Sequence, residues 1–200
     1  MVLFFYGEMV RNVRFCGIMI RLLWVRMHFA EKGITHMGLF SWMYPDEYLD
    51  STYEIDFKQL YEDGFRGVIF DIDNTLVEQG APSDERSRAL LASLKDMGYK
   101  VMLLSNNRKT RVDLFNEDVG CDCIPMAKKP LTKSYKIAME RMGTNQENTF
   151  FVGDQLFTDV WGAKRSGIRS ILVRPISAKE EIQIVMKRKL EKLFLARYGK

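Results

Sequence analysis

The sequence predicts an α/β fold, a parallel sheet with helices on both faces. Three observations predict it. Short apolar runs rich in β-branched residues recur from Gly67 onward, in "GVIFDI", "KVMLLS", "NTFFVGD" and "RSILV". These runs are continuous rather than alternating, as strands buried on both faces require. Between them lie stretches of helical length with stop signals at their ends, and regular strand–helix alternation gives a layered parallel sheet.

Taken in order, "DFKQLYEDG" is a short helix, capped by Asp56 and ended by Gly64. "GVIFDI" is the first buried strand. "PSDERSRALLASLKDMG" opens with a Ser/Asp cap and acids in its first turn, sets Ala89, Leu90, Leu94 and Met97 on one face, and stops at Gly98. "KVMLLS" is a strand, "KTRVDLFNEDVG" a helix and "CDCIP" a short extended piece. "LTKSYKIAMERMG" is a helix ending at Gly143, "NTFFVGD" a strand, "LFTDVWGAKRSG" a helix and "RSILV" a strand. A long helix from Ser177 to Tyr198 closes the chain. Right-handed crossovers put the carboxyl ends of parallel strands on one edge. Ligands bind there, where the strand order reverses.

The chain has 200 residues, enough for one domain with a substantial core. Its 46% hydrophobic and 28% charged content fits a folded globular protein and excludes collagen-like, mucin-like or wholly disordered chains. A net charge of +4 does not argue for a specific nucleic-acid binder. The basic residues gather at the two ends, Arg11 to Lys32 and Lys179 to Lys200. Three cysteines, Cys16, Cys121 and Cys123, do not make a disulfide framework, and His28 and His36 lie too far off in sequence to complete a zinc site. Reduced thiols in the cytoplasm are expected.

Charged residues break every apolar run of residues 1–36, Arg14 and Arg21 bounding "FCGIMI", so none reaches the roughly 20 residues of a spanning helix, and the segment lacks a signal cleavage site. Two readings stand. Residues 1–36 form a basic amphipathic helix that touches membrane, or an extension outside the functional domain, which would then run from 37 to 200. "MGLFSWMYPDEYLDS" reads as a fresh beginning and favours the second.

The chemistry concentrates at the strand ends. Asp71 and Asp73 follow the first apolar run. Two carboxylates ~5 Å apart repel by ~3 kcal/mol at an effective dielectric of about 20. A divalent cation removes that cost, and magnesium suits one or two carboxylates plus waters. A calcium loop is excluded, because its glycine and closing-glutamate slots fall on Leu76 and Pro82. In "GDQLFTD", Asp154 ends another strand and is placed as a third carboxylate, while Asp159 follows five residues later and could equally serve the helix dipole. In "AKKP", Lys129 precedes Pro130, which biases it to an extended conformation beside a helix start; it supplies an ammonium for an anion or is an ordinary solvated lysine. "LLSNN" puts Ser105 and Asn106 at a strand end, where hydroxyl and backbone N–H groups can hold phosphate oxygens.

Asp71, Ser105, Lys129 and Asp154 fall in order at successive loops, as D-x-D-N-T-L, S-N-N, K-P and G-D-x-x-x-x-D. The set resembles the four motifs of the haloacid dehalogenase superfamily of phosphohydrolases, over Gly67 to Val173. The wording "FDIDNTLVE", "VGDQLFTDV" and "MYPDEYLDS" resembles its subfamily IIIA, in the YqeG-type branch related to phosphatidylglycerophosphate phosphatases. The resemblance implies a three-layer Rossmann-like sheet without a large cap domain. It also implies Asp71 as nucleophile, forming an aspartyl-phosphate, and Asp73 as acid and base. Magnesium would be held by Asp71, Asp154 and the Asp73 backbone carbonyl, and the phosphoryl oxygens by Ser105, Asn106 and Lys129. Asp159 would orient Lys129 or a bound water, and Asn74 and Thr75 would shape the loop.

The intervals between the motifs hold no extra domain, so an open crevice is expected. An open crevice suits a large phosphomonoester, such as a phospholipid head group. A terminal stripe of Ile182, Val185, Met186, Leu190, Leu193 and Phe194, flanked by Lys187, Arg188, Lys189, Lys192 and Arg197, suits docking on the sheet and also peripheral contact with anionic membrane. The rival reading is a non-catalytic module that binds phosphate, RNA or a ribosomal partner on the same fold. The intact pair Asp71 and Asp73 argues against it.

Overall fold

The computed structural model describes residues 44–177. All of them fall within one compact unit, Trp42–Lys200. The expected boundary after residue 36, the amphipathic reading of residues 1–36 and the terminal helix from Ser177 lie outside the described residues, apart from Ser177 itself.

Six strands form one sheet: β1 (Glu47–Leu49), β2 (Gly67–Phe70), β3 (Lys100–Leu104), β4 (Asp122–Ile124), β5 (Thr149–Gly153) and β6 (Arg169–Val173). Their spatial order is β1-β6-β5-β2-β3-β4, and every neighbouring pair is parallel. From β2 the chain moves outward through β3 to β4, then crosses back to β5 on the other flank. The order therefore reverses at β2, and the crevice at its carboxyl end is the expected ligand position. The helices are α1 (Phe57–Glu62), α2 (Glu85–Met97), α3 (Lys109–Asn116), α4 (Lys133–Met142) and α5 (Trp161–Arg165). One helix and one strand fill each interval between motif loops, and no cap domain is inserted.

Pleating splits the core into two layers. Val68, Phe70, Val101, Leu103, Phe150 and Val152 pack with α1, α2 and α3 on one face. Ile69, Met102, Leu104 and Phe151 pack with Tyr135, Ala138 and Met139 of α4 and Ala163 of α5 on the other. The four residues of β2 are all buried, which accounts for the unbroken apolar run in the sequence.

Three elements depart from the sequence expectation. First, β1 was not anticipated. It is only three residues long and opens with an acid, so it carries no apolar run. It is held at the edge by Asp46, whose Oδ2 accepts from the Ser170 N–H at 2.8 Å and the Ser170 hydroxyl at 3.0 Å, while Oδ1 pairs with Lys164.

Second, of the expected face of Ala89, Leu90, Leu94 and Met97 only Leu94 is fully buried in α2, where it is joined by Ser87 and Leu91. The helix is rotated about its axis. Ala89 faces solvent, Met97 is 36% exposed, and Leu90 packs only at the margin. Its start is fixed as expected, by a capping box between Asp84 and Ser87, and its end by Gly98 in the left-handed region.

Third, "LFTDVWGAKRSG" is not one regular helix. A π-helical turn, Leu156–Val160, precedes α5. The N–H groups of Asp159 and Val160 both donate to the Gln155 carbonyl, at 2.9 and 3.3 Å. The widened turn brings Asp159 round to the strand ends, as such turns often do at functional sites.

Candidate active site

Asp71 follows β2, Ser105 follows β3, Asp154 follows β5, and Lys129 lies in the loop between β4 and α4. The fold therefore delivers four chain-distant residues to one edge. Lys129 Nζ stands 2.9 Å from Asp71 Oδ1 and 2.7 Å from Asp159 Oδ1. Oxygens of Asp71, Asp154 and Asp159 lie within 4.8 Å of one another. Asp71 is 5%, Asp154 1%, Asp159 0% and Lys129 6% exposed. The open crevice expected from the missing cap thus applies to the rim and not to this cluster, where the lysine stands between Asp71 and Asp159.

Lys129 is not placed by a helix. Asn106 clasps its backbone, accepting from the Lys129 N–H at 2.7 Å and donating to its carbonyl at 3.2 Å. The Ala127 N–H donates to the Ser105 carbonyl at 2.9 Å, so the lysine loop is stitched to the loop after β3. Asn106, expected to hold phosphate, thus has its side chain occupied in positioning Lys129. Ser105 is buried, and its hydroxyl accepts from the Asn107 N–H at 3.2 Å. Thr75 donates to Asp154 Oδ1 at 3.2 Å. Asn74, at φ 62°, accepts a 3.1 Å bond on its carbonyl from the Ile176 N–H, so it shapes the loop from behind.

Asp159 is the most enclosed of the acids. Its Oδ2 accepts from the Gln155 N–H at 3.0 Å. Gly153 leaves the room: a β-carbon there would stand 2.5 Å from Asp159 Oδ2 and 2.7 Å from its Cβ. Tyr135 supports the same turn from the core, its hydroxyl 3.1 Å from the Thr158 carbonyl and 3.3 Å from that of Asp159.

Asp73 is not part of this cluster. Its Oδ1 accepts from Arg111 Nη2 at 2.8 Å, Arg111 Nε at 3.2 Å and the Gly80 N–H at 2.7 Å, and its Oδ2 accepts from Asn107. The two carboxylates of the D-x-D pair, expected from their repulsion to lie side by side against a cation, are parted: Asp71 faces inward, and the Asp73 side chain is drawn to the rim. Sequence reasoning missed Arg111, Asn107 and Tyr135. A single arginine, asparagine or tyrosine gives no local signal of such a role.

Lys129 pairs with Asp71 and Asp159, and Asp154 lies close to both acids. Burial, with the charge of Asp159 added, pushes the Asp71 carboxyl up to about 7 against the pull of Lys129. Burial alone would lower Lys129, but Asp159 and Asp71 outweigh it and hold the ammonium above its ordinary range. Three buried carboxylates whose oxygens lie this close, all hard oxygen donors, fit a hard divalent cation.

A family model described as HAD-hydrolase-like matches residues 126–182. Over 153 residues the chain is 36% identical to "Probable phosphatase YqeG" of Bacillus subtilis, covering 76% of this chain and 89% of that one. The chain belongs to the haloacid dehalogenase-like phosphatases. It is also 28% identical over 162 residues to "Phosphatidylglycerophosphate phosphatase 1, chloroplastic/mitochondrial" of Arabidopsis thaliana, covering 72% of this chain and 44% of that one. To "Glyceraldehyde 3-phosphate phosphatase" of Pyrococcus abyssi it is 26% identical over 94 residues, covering 42% and 40%. In this haloacid dehalogenase-like chain the lysine, the strand-end acids and the turn carrying Asp159 form one buried charged unit. The D-x-D pair is divided between that unit and the rim.

Proposed function

We propose that the chain is a magnesium-dependent phosphomonoesterase that works through an aspartyl-phosphate on Asp71. The observation that supports this best is the buried cluster in which Lys129 bridges Asp71 and Asp159 beside Asp154. Asp71 and Asp154, with the backbone carbonyl of Asp73, would hold magnesium, which supplies charge neutralisation for the phosphoryl oxygens.

Asp71 attacks phosphorus, the bond to the ester oxygen breaks, and Asp73 gives that oxygen a proton. Water then attacks the phosphoryl group on Asp71, and Asp73 takes the proton. To reach the leaving oxygen Asp73 Oδ2 has to let go of Asn107, while Arg111 keeps its hold on Oδ1. Lys129 and the Ser105 hydroxyl hold the phosphoryl oxygens, and Asp159 keeps the lysine aimed. Phosphoryl transfer asks chiefly for such positioning and charge neutralisation.

The finer reading is a phospholipid head-group phosphatase of the subfamily IIIA type, in the cytoplasm and peripheral to anionic membrane. Similarity to a phosphatidylglycerophosphate phosphatase and the absence of a cap support it. No described helix is long and apolar enough to cross a membrane.

Incubation with an aryl phosphate and magnesium tests the chemistry. Turnover is expected to vanish with chelator and in Asp71→Asn. Asp73→Asn should lose turnover and still bind phosphate. Undiminished activity in Asp71→Asn rules out the nucleophile. A substrate panel that ranks a soluble ester above phosphatidylglycerophosphate in vesicles removes the lipid reading.

A further inference from the structure

We propose that the rim around Lys129 is itself a docking surface for an anionic lipid bilayer, formed by the loops at residues 105–109 and 125–133. The inference rests on the phosphatase reading for its purpose but not for its evidence. The two loops make one surface, since the Met126 N–H donates to the Asn107 carbonyl at 2.8 Å and Asn106 clasps Lys129 from both sides.

Two apolar side chains stand out of this surface. Met126 is 59% and Leu131 53% exposed, the two highest values among the described large apolar residues. They flank the buried Lys129 in sequence. Single exposed apolar residues are ordinary on protein surfaces. These two sit in a loop whose backbone is also strained: Met126 has φ 49° and Lys128 φ 57°. The left-handed region is costly for residues with a β-carbon and persists mainly where function requires it. Here it is found in a loop that turns a methionine and a lysine into solvent.

The exposed charged side chains of the two loops themselves have one sign. Arg108, Lys109, Lys128 and Lys133 are all exposed. Neither residues 97–112 nor residues 123–139 contain an aspartate or glutamate. Lys109 pairs with Asp113 at 2.7 Å, but among the described residues Arg108, Lys128 and Lys133 make no ion pair. Apolar tips within a basic field are what an anionic interface recognises: the tips enter the acyl boundary and the cations meet the head groups. Neither loop carries Phe, Tyr or Trp to stack on a base, which disfavours single-stranded nucleic acid as the occupant. Docked this way, the edge that holds the reacting carboxylates faces the lipid directly.

The test uses the full chain, vesicles of phosphatidylcholine with or without phosphatidylglycerol, and a soluble aryl phosphate. The parent chain should co-sediment with the anionic vesicles and not with the neutral ones. Met126→Ser combined with Leu131→Ser should weaken that binding roughly tenfold or more, while kcat on the aryl phosphate stays at the parent value. Lys128→Ser should weaken it severalfold and make the loss with added salt shallower. The proposal is overturned if the double variant binds anionic vesicles as the parent does, if the parent ignores them, or if single-stranded RNA displaces the parent from them through these same residues. Failure of the phosphatase reading looks different: no turnover of the aryl phosphate by the parent, whatever the vesicles show.

Discussion

Arg111 holds one oxygen of Asp73 with two nitrogens, Nη2 at 2.8 Å and Nε at 3.2 Å. Both side chains are about 85% buried, at 15% and 14% exposure, and lie 38 residues apart in sequence. The second acid of the D-x-D pair is therefore positioned by a helix, α3, and not by its own loop alone. Arg111→Ala is expected to lower kcat on an aryl phosphate roughly tenfold with a smaller change in KM, because a mispositioned acid affects the transition state more than the bound ester. Stability should fall by about 1–2 kcal/mol in urea titrations. Arg111→Lys keeps the charge and loses the two-nitrogen geometry, so it should restore stability better than turnover. Steady-state kinetics in which Arg111→Ala keeps the parent kcat would falsify the positioning role.

Among the described residues Lys129 is the buried cation that pairs with Asp71 and Asp159, and its removal leaves those two acids without it. Lys129→Met should cost about 3–5 kcal/mol in chelator, as is usual when one partner of a buried pair is removed. Magnesium should recover part of the loss. Phosphate binding should not return with it, since the ammonium is assigned to the phosphoryl oxygens. Denaturation with and without the cation, combined with phosphate titration, separates the two effects. Full recovery of both by magnesium refutes the assignment.

Gly153 tests the packing around Asp159. Gly153→Ala drives a methyl into the Asp159 carboxylate at 2.5 Å. The loss of stability should be about 1–3 kcal/mol, the usual cost of overpacking. Turnover should fall further than stability does, because the displaced carboxylate is the one that aims Lys129. An alanine variant with parent kcat contradicts the role given to Asp159.

Asp71 sets a pH dependence. Burial raises its folded-state value to about 7, against an ordinary value of 3.8. The folded protein thus holds this proton more tightly than the unfolded chain does. Its contribution to stability is full below pH ~4 and is lost as pH rises through ~7. In chelator, the stability of the parent relative to Asp71→Asn should decline across that window. Saturating magnesium should remove the decline, because the cation takes the place of the proton. Thermal melts at several pH values read the difference directly, and a gap that does not change with pH contradicts the buried-charge account.

The fold was legible because its signals are local. Continuous apolar runs mark strands buried on both faces, and Asp56, Asp84, Gly98 and Gly143 mark helix ends by caps that act within a few residues. The edge strand β1 gave no such signal, since among the described residues one of its sides pairs with no strand and its residues need not be apolar. The buried face of α2 was also out of reach. Leu90, Leu91 and Leu94 allow two stripes, and only contact with β2 and β3 chooses between them.

By itself the sequence determined which residues could carry the chemistry. Asp71, Ser105 and Asp154 at the carboxyl ends of buried strands must converge once the strands are parallel, while Lys129 was singled out by the order of the motifs and their resemblance to the haloacid dehalogenase set. Only the tertiary structure decided how they are used. It separated Asp73 from Asp71, turned Asn106 toward the Lys129 backbone, brought Asp159 round on a widened turn, and fitted Gly153 beneath it. Each of these is a relation between particular side chains or backbone atoms brought together by packing. Such relations leave no period, run or spacing in the chain, and they exist only when the sheet has closed around them.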